Sequence, residues 1–185
     1  MTPGKESPQL SLRVLRAQAG CQQSFNALYQ QFSGLTAGYL RQLGMVAADV
    51  DDLQQQLWLK AYRRLSSLGS VYAFKSWLLQ IARGVAVDAL RRAPHREESL
   101  EAEPGLLFEP APPSRQLAPV KAALAGLPPA QREVTYLFYW QELSCLDIAR
   151  IVGCSVGTVK TRLYHARQRL ARLPSIQNLK ETRHG

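Results

Sequence analysis

LSCLDIARIVGCSVGTVKTRLYHARQRLAR, running from Leu143 to Arg172, reads as a helix, a tight turn and a second helix whose two long faces differ in chemistry. Ser144 with Asp147 three residues on predicts a capped helix start, with an acid at the positive end of the helix. Gly153 supplies the turn, and Ser155 is placed to cap the second helix. There Val159, Leu163, Ala166 and Leu170 recur at the spacing of a single inward stripe.

At about 100° per residue, Thr158, Thr161, Arg162, His165 and Arg169 gather on one flank of that second helix, and Lys160 and Arg167 fall on the other. A helix inserted in a DNA groove needs this division. Hydroxyls and a guanidinium address base edges, and flanking cations hold phosphates. Arg150 to Arg172 contains six Lys or Arg and no Asp or Glu. A solvated basic helix is the plainer alternative, but the capped helix and the Gly153 turn before it favour a helix-turn-helix.

The chain has 185 residues and a formal charge of +9, enough for one ordinary domain or two small ones. The charge is unevenly spread: residues 1–92 carry 11 basic and 5 acidic groups, 93–117 carry 2 and 5, and 118–185 carry 10 and 4. Two basic blocks around an acidic connector suggest two contacts with a polyanion.

No apolar run approaches a membrane span, and the first residues, MTPGKESPQ, lack the apolar core of a signal peptide. A cytoplasmic protein without membrane insertion is expected. Cys21, Cys145 and Cys154 are odd in number and not closely paired, and His95, His165 and His184 are scattered. The cysteines are expected to be buried structural thiols, and neither a disulfide framework, a zinc site nor a cofactor is expected.

Eight of the 11 prolines lie between Pro94 and Pro129, and HREESLEAEPGLLFEPAPPSRQLAP has no sustained period. Residues 93–117 therefore read as an acidic, Pro-rich flexible linker between domains at 1–92 and 118–185. Leu106, Leu107 and Phe108 form an apolar island in it, either a partner-docking segment or a local loop cluster.

The N-terminal block lacks Pro from residue 9 to residue 93 and has no period of two, so it reads as helical throughout. Leu12, Leu15 and Ala19 suggest a first helix ended by Gly20. Phe25, Leu28, Tyr29, Phe32, Leu35, Tyr39, Leu40 and Leu43 carry a second up to Gly44. In a third, Val50, Leu53, Leu57, Ala61 and Leu65 face a core, leaving an amide-rich outer face that is either solvated or a protein-docking surface. A fourth places Trp77, Ile81, Val85 and Leu90 near one stripe. Tyr72 and Phe74, just before it, are the better candidates for stacking on unpaired bases; Trp77 belongs with the core.

In this order, the parts resemble the bacterial extracytoplasmic-function sigma factors. Region 2 of that family carries D-x-E-D-L-x-Q, then W-L-x-x-I-A-R-N-x-x-x-D-x-x-R-R. Asp49, Asp51, Asp52, Leu53 and Gln55, then Trp77, Leu78, Ile81, Ala82, Arg83, Asp88, Arg91 and Arg92, stand there. Region 4 carries L-P-x-x-x-R-E-V, met by Leu127, Pro128, Arg132, Glu133 and Val134. Its S-x-x-E-I-A-x-x-x-G-x-S-x-G-T-V-K-x-R-L-x-x-A-R-x-x-L is met from Ser144 to Leu170, with Asp147 in place of Glu. The resemblance covers about residues 10–92 and 118–173.

The resemblance implies an all-α protein of two small helical domains joined by a flexible linker, the C-terminal one a helix-turn-helix. It also implies a subunit without catalytic chemistry of its own, which binds core RNA polymerase and promoter DNA and is held by an anti-sigma factor. Asp49, Asp51, Asp52, Gln54, Gln55, Gln56 and Lys60 would then dock on polymerase. Tyr72, Phe74, Lys75, Arg83, Arg91 and Arg92 would meet the minus-ten element, and Ser155, Thr158, Lys160, Thr161, Arg162, His165 and Arg167 the minus-35 element. Gly84 stands where the family usually has Asn, and His165 where Arg is common. From the residues alone, a stand-alone helix-turn-helix regulator with an N-terminal sensing or dimerisation domain stays open. No cluster of carboxylates, His or Ser with a plausible base suggests an enzyme.

A flexible 25-residue linker has an r.m.s. span of about 25–30 Å. Two promoter elements two helical turns apart lie roughly 70 Å from one another. The linker is therefore expected to be stretched along the polymerase, with the free chain binding promoter DNA poorly.

Overall fold

Among the residues described by the computed structural model, 8–92 and 123–172, every regular element is a helix. They fall in two units, with the division inside the stretch between them. The linker, His95, His184 and the Leu106 to Phe108 island lie outside the described residues.

The first unit holds α1 (Pro8–Gln18), α2 (Gln22–Gln42), α3 (Ala47–Arg64) and α4 (Phe74–Arg92), with 3-10 turns at Leu65–Ser67 and Val71–Ala73 between the last two. Helix α2 packs against the other three. Gly20 and Gly44 close α1 and α2 at φ +90°, the left-handed backbone that glycine adopts without the clash a Cβ would bring. Val50, Leu53, Leu57, Ala61 and Leu65 are all buried, so the α3 stripe faces the core as its spacing predicts.

Two stripes differ from expectation. Helix α1 buries Leu10, Val14 and Ala17 and turns Leu12 and Leu15 outward at about half exposure. A short helix with apolar residues on two faces offers two near-equal stripes, and the partner selects one. In α4, Leu90 is exposed and Trp77 half-buried, while Ile81 and Val85 are buried as their spacing predicts and form the core face with Phe74, Leu78, Leu79, Ala82 and Ala86.

The second unit holds a helical turn at 123–125, α5 (Pro129–Tyr139), α6 (Cys145–Val152) and α7 (Val156–Ala171). Val134, Leu137, Ile148, Val159 and Leu163 form its core, and Leu124 and Leu127 close over Ala166 with Leu170 beside them. Tyr136 is buried and accepts a hydrogen bond from Gln141 at 2.9 Å, and burial pushes its phenol pKa up. The three cysteines are half-buried, less enclosed than expected. Cys21 occupies the N-cap of α2, where the Ser24 hydroxyl donates to its sulfur at 3.3 Å and holds the thiol pKa below the ordinary value. No described helix is long and apolar enough to cross a membrane.

Candidate nucleic-acid interface

The helix-turn-helix is built from its two serines. The Ser144 hydroxyl accepts from the Asp147 backbone N–H at 3.1 Å and donates to the Asp147 carboxylate at 2.6 Å. Asp147 also pairs with Arg150 at 3.4 Å, a contact of little energy at its exposure. Gly153 then turns the chain at φ 73°, ψ 44°. Ser155 caps α7 by accepting from Thr158 N–H at 3.0 Å, and the two hydroxyls lie 2.9 Å apart. Each cap satisfies an amide donor that the helix start leaves unpaired, worth about 1 kcal/mol.

Helix α7 buries Val159, Leu163 and Ala166 and presents Lys160, Thr161, Tyr164, His165, Arg167, Gln168 and Arg169 to solvent. Arg162 is half-buried at the edge of this face, its Nη1 3.9 Å from the Cys154 sulfur. On the opposite flank, Arg167 Nε donates to the Tyr139 hydroxyl at 2.8 Å, and its guanidinium lies 5.8 Å from both the Phe138 and Tyr139 ring centroids.

In the first unit, Gln18 of α1 donates to the carbonyls of Leu65 and Leu68 at 3.0 and 2.9 Å, pinning the loop after α3. That loop carries Tyr72, at 72% exposure the most open large hydrophobic residue described.

Family models match this chain twice, Sigma-70 region 2 over residues 28–96 and Sigma-70 region 4 over 117–170. The chain is 34% identical over 181 residues to the extracytoplasmic-function RNA polymerase sigma-E factor of Escherichia coli, covering 88% of this chain and 93% of that protein. This chain belongs to the extracytoplasmic-function sigma factors. It is 32% identical over 161 residues to the probable RNA polymerase sigma factor RfaY of Xanthomonas campestris, of whose length it spans 40%. Among solved structures it resembles CnrH in complex with the cytosolic domain of CnrY, at a TM-score of 0.64 and 26% identity over 88% of this chain and 94% of that one. It also resembles the sigma factor RpoE in complex with the anti-sigma factor NepR from Bartonella quintana, at a TM-score of 0.60 and 28% identity over 79% and 93%.

Not every residue singled out in the sigma factor's sequence is available for contact. Phe74 is 1% exposed, its ring 5.3 Å from Phe32 and 5.9 Å from Trp77, so it is a core residue and not a base contact. The 3-10 turn before it faces Tyr72 outward and Phe74 inward, a choice that two aromatics two residues apart do not disclose. Gln54 is likewise interior: its amide donates to Ser33 O at 2.7 Å, while its oxygen accepts from Trp58 Nε1 at 3.0 Å and lies 2.9 Å from the Thr36 hydroxyl. It leaves the docking set and becomes the hub joining α2 to α3. Lys60 pairs with Asp88 across α3 and α4 at 3.3 Å, half exposed.

The remaining acidic and amide residues of α3 keep the outward face. Asp51, Asp52, Gln55 and Gln56 are exposed and Asp49 is half-buried. On α4, Arg91 and Arg92 are exposed and Lys75 and Arg83 half-buried. Each eight-residue step along that helix turns by about 80°, so Lys75, Arg83 and Arg91 wind around the axis and do not share one face. Tyr164 and Gln168 are also exposed on the outward face of α7, on the same side of Thr161, Gln168 about 20° and Tyr164 about 60° from it in angle. The same 100° count would have found them had it been centred opposite the apolar stripe.

Proposed function

We propose that this sigma factor binds core RNA polymerase through Asp51, Asp52, Gln55 and Gln56 of α3 and carries it to promoters read at two points. Helix α7 enters the major groove of the minus-35 element, with Thr161, Arg162 and His165 toward bases and Lys160 and Arg167 toward phosphates. Tyr72, with Lys75, Arg83, Arg91 and Arg92 of the α4 helix that follows it, meets the opened minus-ten element. An exposed aromatic in a loop anchored by Gln18 supports base stacking, which offsets the few kcal/mol that unstacking costs.

The observation that carries this reading is the combination in one chain of a doubly capped helix-turn-helix and an α3 whose outward face is acidic and amide-rich. A stand-alone regulator would leave the region 2 match and that face without a role. The sigma factor acts in the cytoplasm with polymerase, has no reaction of its own, and works as domains 1–92 and 118–185 joined by the linker 93–117. Because CnrH and RpoE were each solved with a partner chain, an anti-sigma factor that restrains this sigma factor is part of the reading. Run-off transcription with reconstituted polymerase on genomic fragments tests it. Promoter-specific transcripts that depend on this chain are expected, and failure to bind core polymerase would return the regulator reading.

A further inference from the structure

Charge in the first unit is divided along α3. Residues 8–92 contain four carboxylates: Asp49, Asp51 and Asp52 stand near the start of α3, and Asp88 is paired with Lys60. The other end of α3 carries Arg63 and Arg64, both exposed, with Arg64 about 18 Å along the axis from Asp52. Gln18 ties α1 to this basic end, since it donates to the carbonyl of Leu65, the residue after Arg64. Helix α1 has no carboxylate of its own and carries Arg13 and Arg16.

The outward face of α1 begins beside the loop that Gln18 pins. At about 100° per residue, Leu15 lies about 60° around the helix from Gln18, and Leu12 and Arg16 roughly 120° and 160°. Leu12 and Leu15 are half exposed and Arg16 is exposed, so none of the three serves the core. Arg13 is drawn toward α2 by its bond to Gln31 at 2.9 Å, which leaves Arg16 as the cation beside the leucines. Helix α1 also packs against the 3-10 turn that carries the open ring of Tyr72.

Apolar side chains beside cations, on a surface without carboxylates, suit a single nucleic-acid strand: bases pack on the apolar groups and phosphates meet the cations. An acidic protein segment would share the charge, but the exposed ring beside α1 favours bases, each of which offers a face for stacking. We propose that the outward face of α1 extends the single-strand site from Tyr72, with Leu15 and then Leu12 against unpaired bases and Arg16 on a phosphate. The inference rests on the reading of Tyr72 as a minus-ten contact and adds a second wall to that site. Duplex DNA keeps its base faces stacked, so α1 acts only once the strands part and serves to hold the opened one.

Holoenzymes carrying the full chain test this by titration against a promoter fragment whose non-template strand is single from the minus-ten element onward, and against the same fragment as duplex. The double variant Leu12→Gln, Leu15→Gln and the single variant Arg16→Gln change only exposed positions of α1, so melting temperatures matching the parent are expected. The leucine variant is expected to bind the tailed fragment about tenfold more weakly. Arg16→Gln is expected to reduce the slope of log affinity against log salt on that fragment by about 0.7. Affinity for the duplex fragment and for core polymerase should stay within about twofold of the parent. If Tyr72→Ala weakens the tailed complex and the α1 variants do not, the strand does not cross α1 and the inference falls while the Tyr72 reading stands. If Tyr72→Ala is also without effect, both fall. Loss of core polymerase binding in the α1 variants would assign this face to a protein contact and overturn the proposal.

Discussion

Arg167 and Tyr139 form one unit across α7 and α5: the guanidinium Nε donates to the phenol oxygen at 2.8 Å, and the cation stands 5.8 Å from the same ring's centroid. A long flexible side chain is thus held in one direction before DNA arrives, which reduces the rotamer entropy lost on binding. The remaining guanidinium N–H groups can still point at a phosphate. Tyr139→Phe keeps the ring and removes the acceptor. Promoter affinity of the holoenzyme should fall by about 0.5–1.5 kcal/mol, equally on preferred and altered minus-35 sequences. A loss confined to one sequence in a mobility-shift series would mean that Arg167 reads a base.

Arg162 behaves differently because it lies at the edge of the outward face and is half-buried against Cys154. Arg162→Ala should cost about 1–3 kcal/mol on the preferred minus-35 element and relax choice at one base pair. Competition binding across single-base variants checks this, and an equal loss on every variant would demote Arg162 to a phosphate contact.

Gln18 joins α1 to the loop that carries Tyr72 through two carbonyls, Leu65 O and Leu68 O. Gln18→Leu leaves both carbonyls without that donor and should destabilise the first unit by about 1–3 kcal/mol. Hydrogen exchange at residues 65–73 should speed up before exchange in α2 does. Unchanged protection in the loop would show that the 3-10 turns hold it without Gln18.

Gly84 lies in the interior of α4, exposed, with space for a Cβ. Gly84→Ala removes the backbone freedom of glycine in the unfolded chain and should stabilise the first unit by about 1 kcal/mol. Scanning calorimetry should register a higher melting temperature. No change, or a fall, would indicate that the helix at this position needs the glycine.

Much of this fold is legible without coordinates because helix periodicity, caps and glycine turns are local. The Ser144 and Ser155 caps and the turn at Gly153 stand where the sequence puts them, since each depends on residues no more than four apart. The α3 core stripe is equally plain, being the one continuous apolar stripe of a strongly polar helix, with Leu59 and Tyr62 left exposed off it. Where two faces compete, local reading fails. Helix α1 has Leu12 and Leu15 on one side and Leu10 and Val14 on the other, and only packing on α2 chooses.

The sequence by itself determined that this protein is all-helical, that it joins two basic blocks through an acidic connector, and that its C-terminal half presents a basic helix after a capped turn. Hydrophobic period, backbone chemistry and charge order decide these, and none needs a distant neighbour. The tertiary structure alone decided that Gln54 is a buried strut and Gln55 a surface group, that Phe74 is core and Tyr72 open, and that Tyr139 holds Arg167. Each turns on which residues of another helix stand opposite. Burial and hydrogen-bond satisfaction are properties of that meeting, and adjacent amides or aromatics in a sequence carry no trace of it.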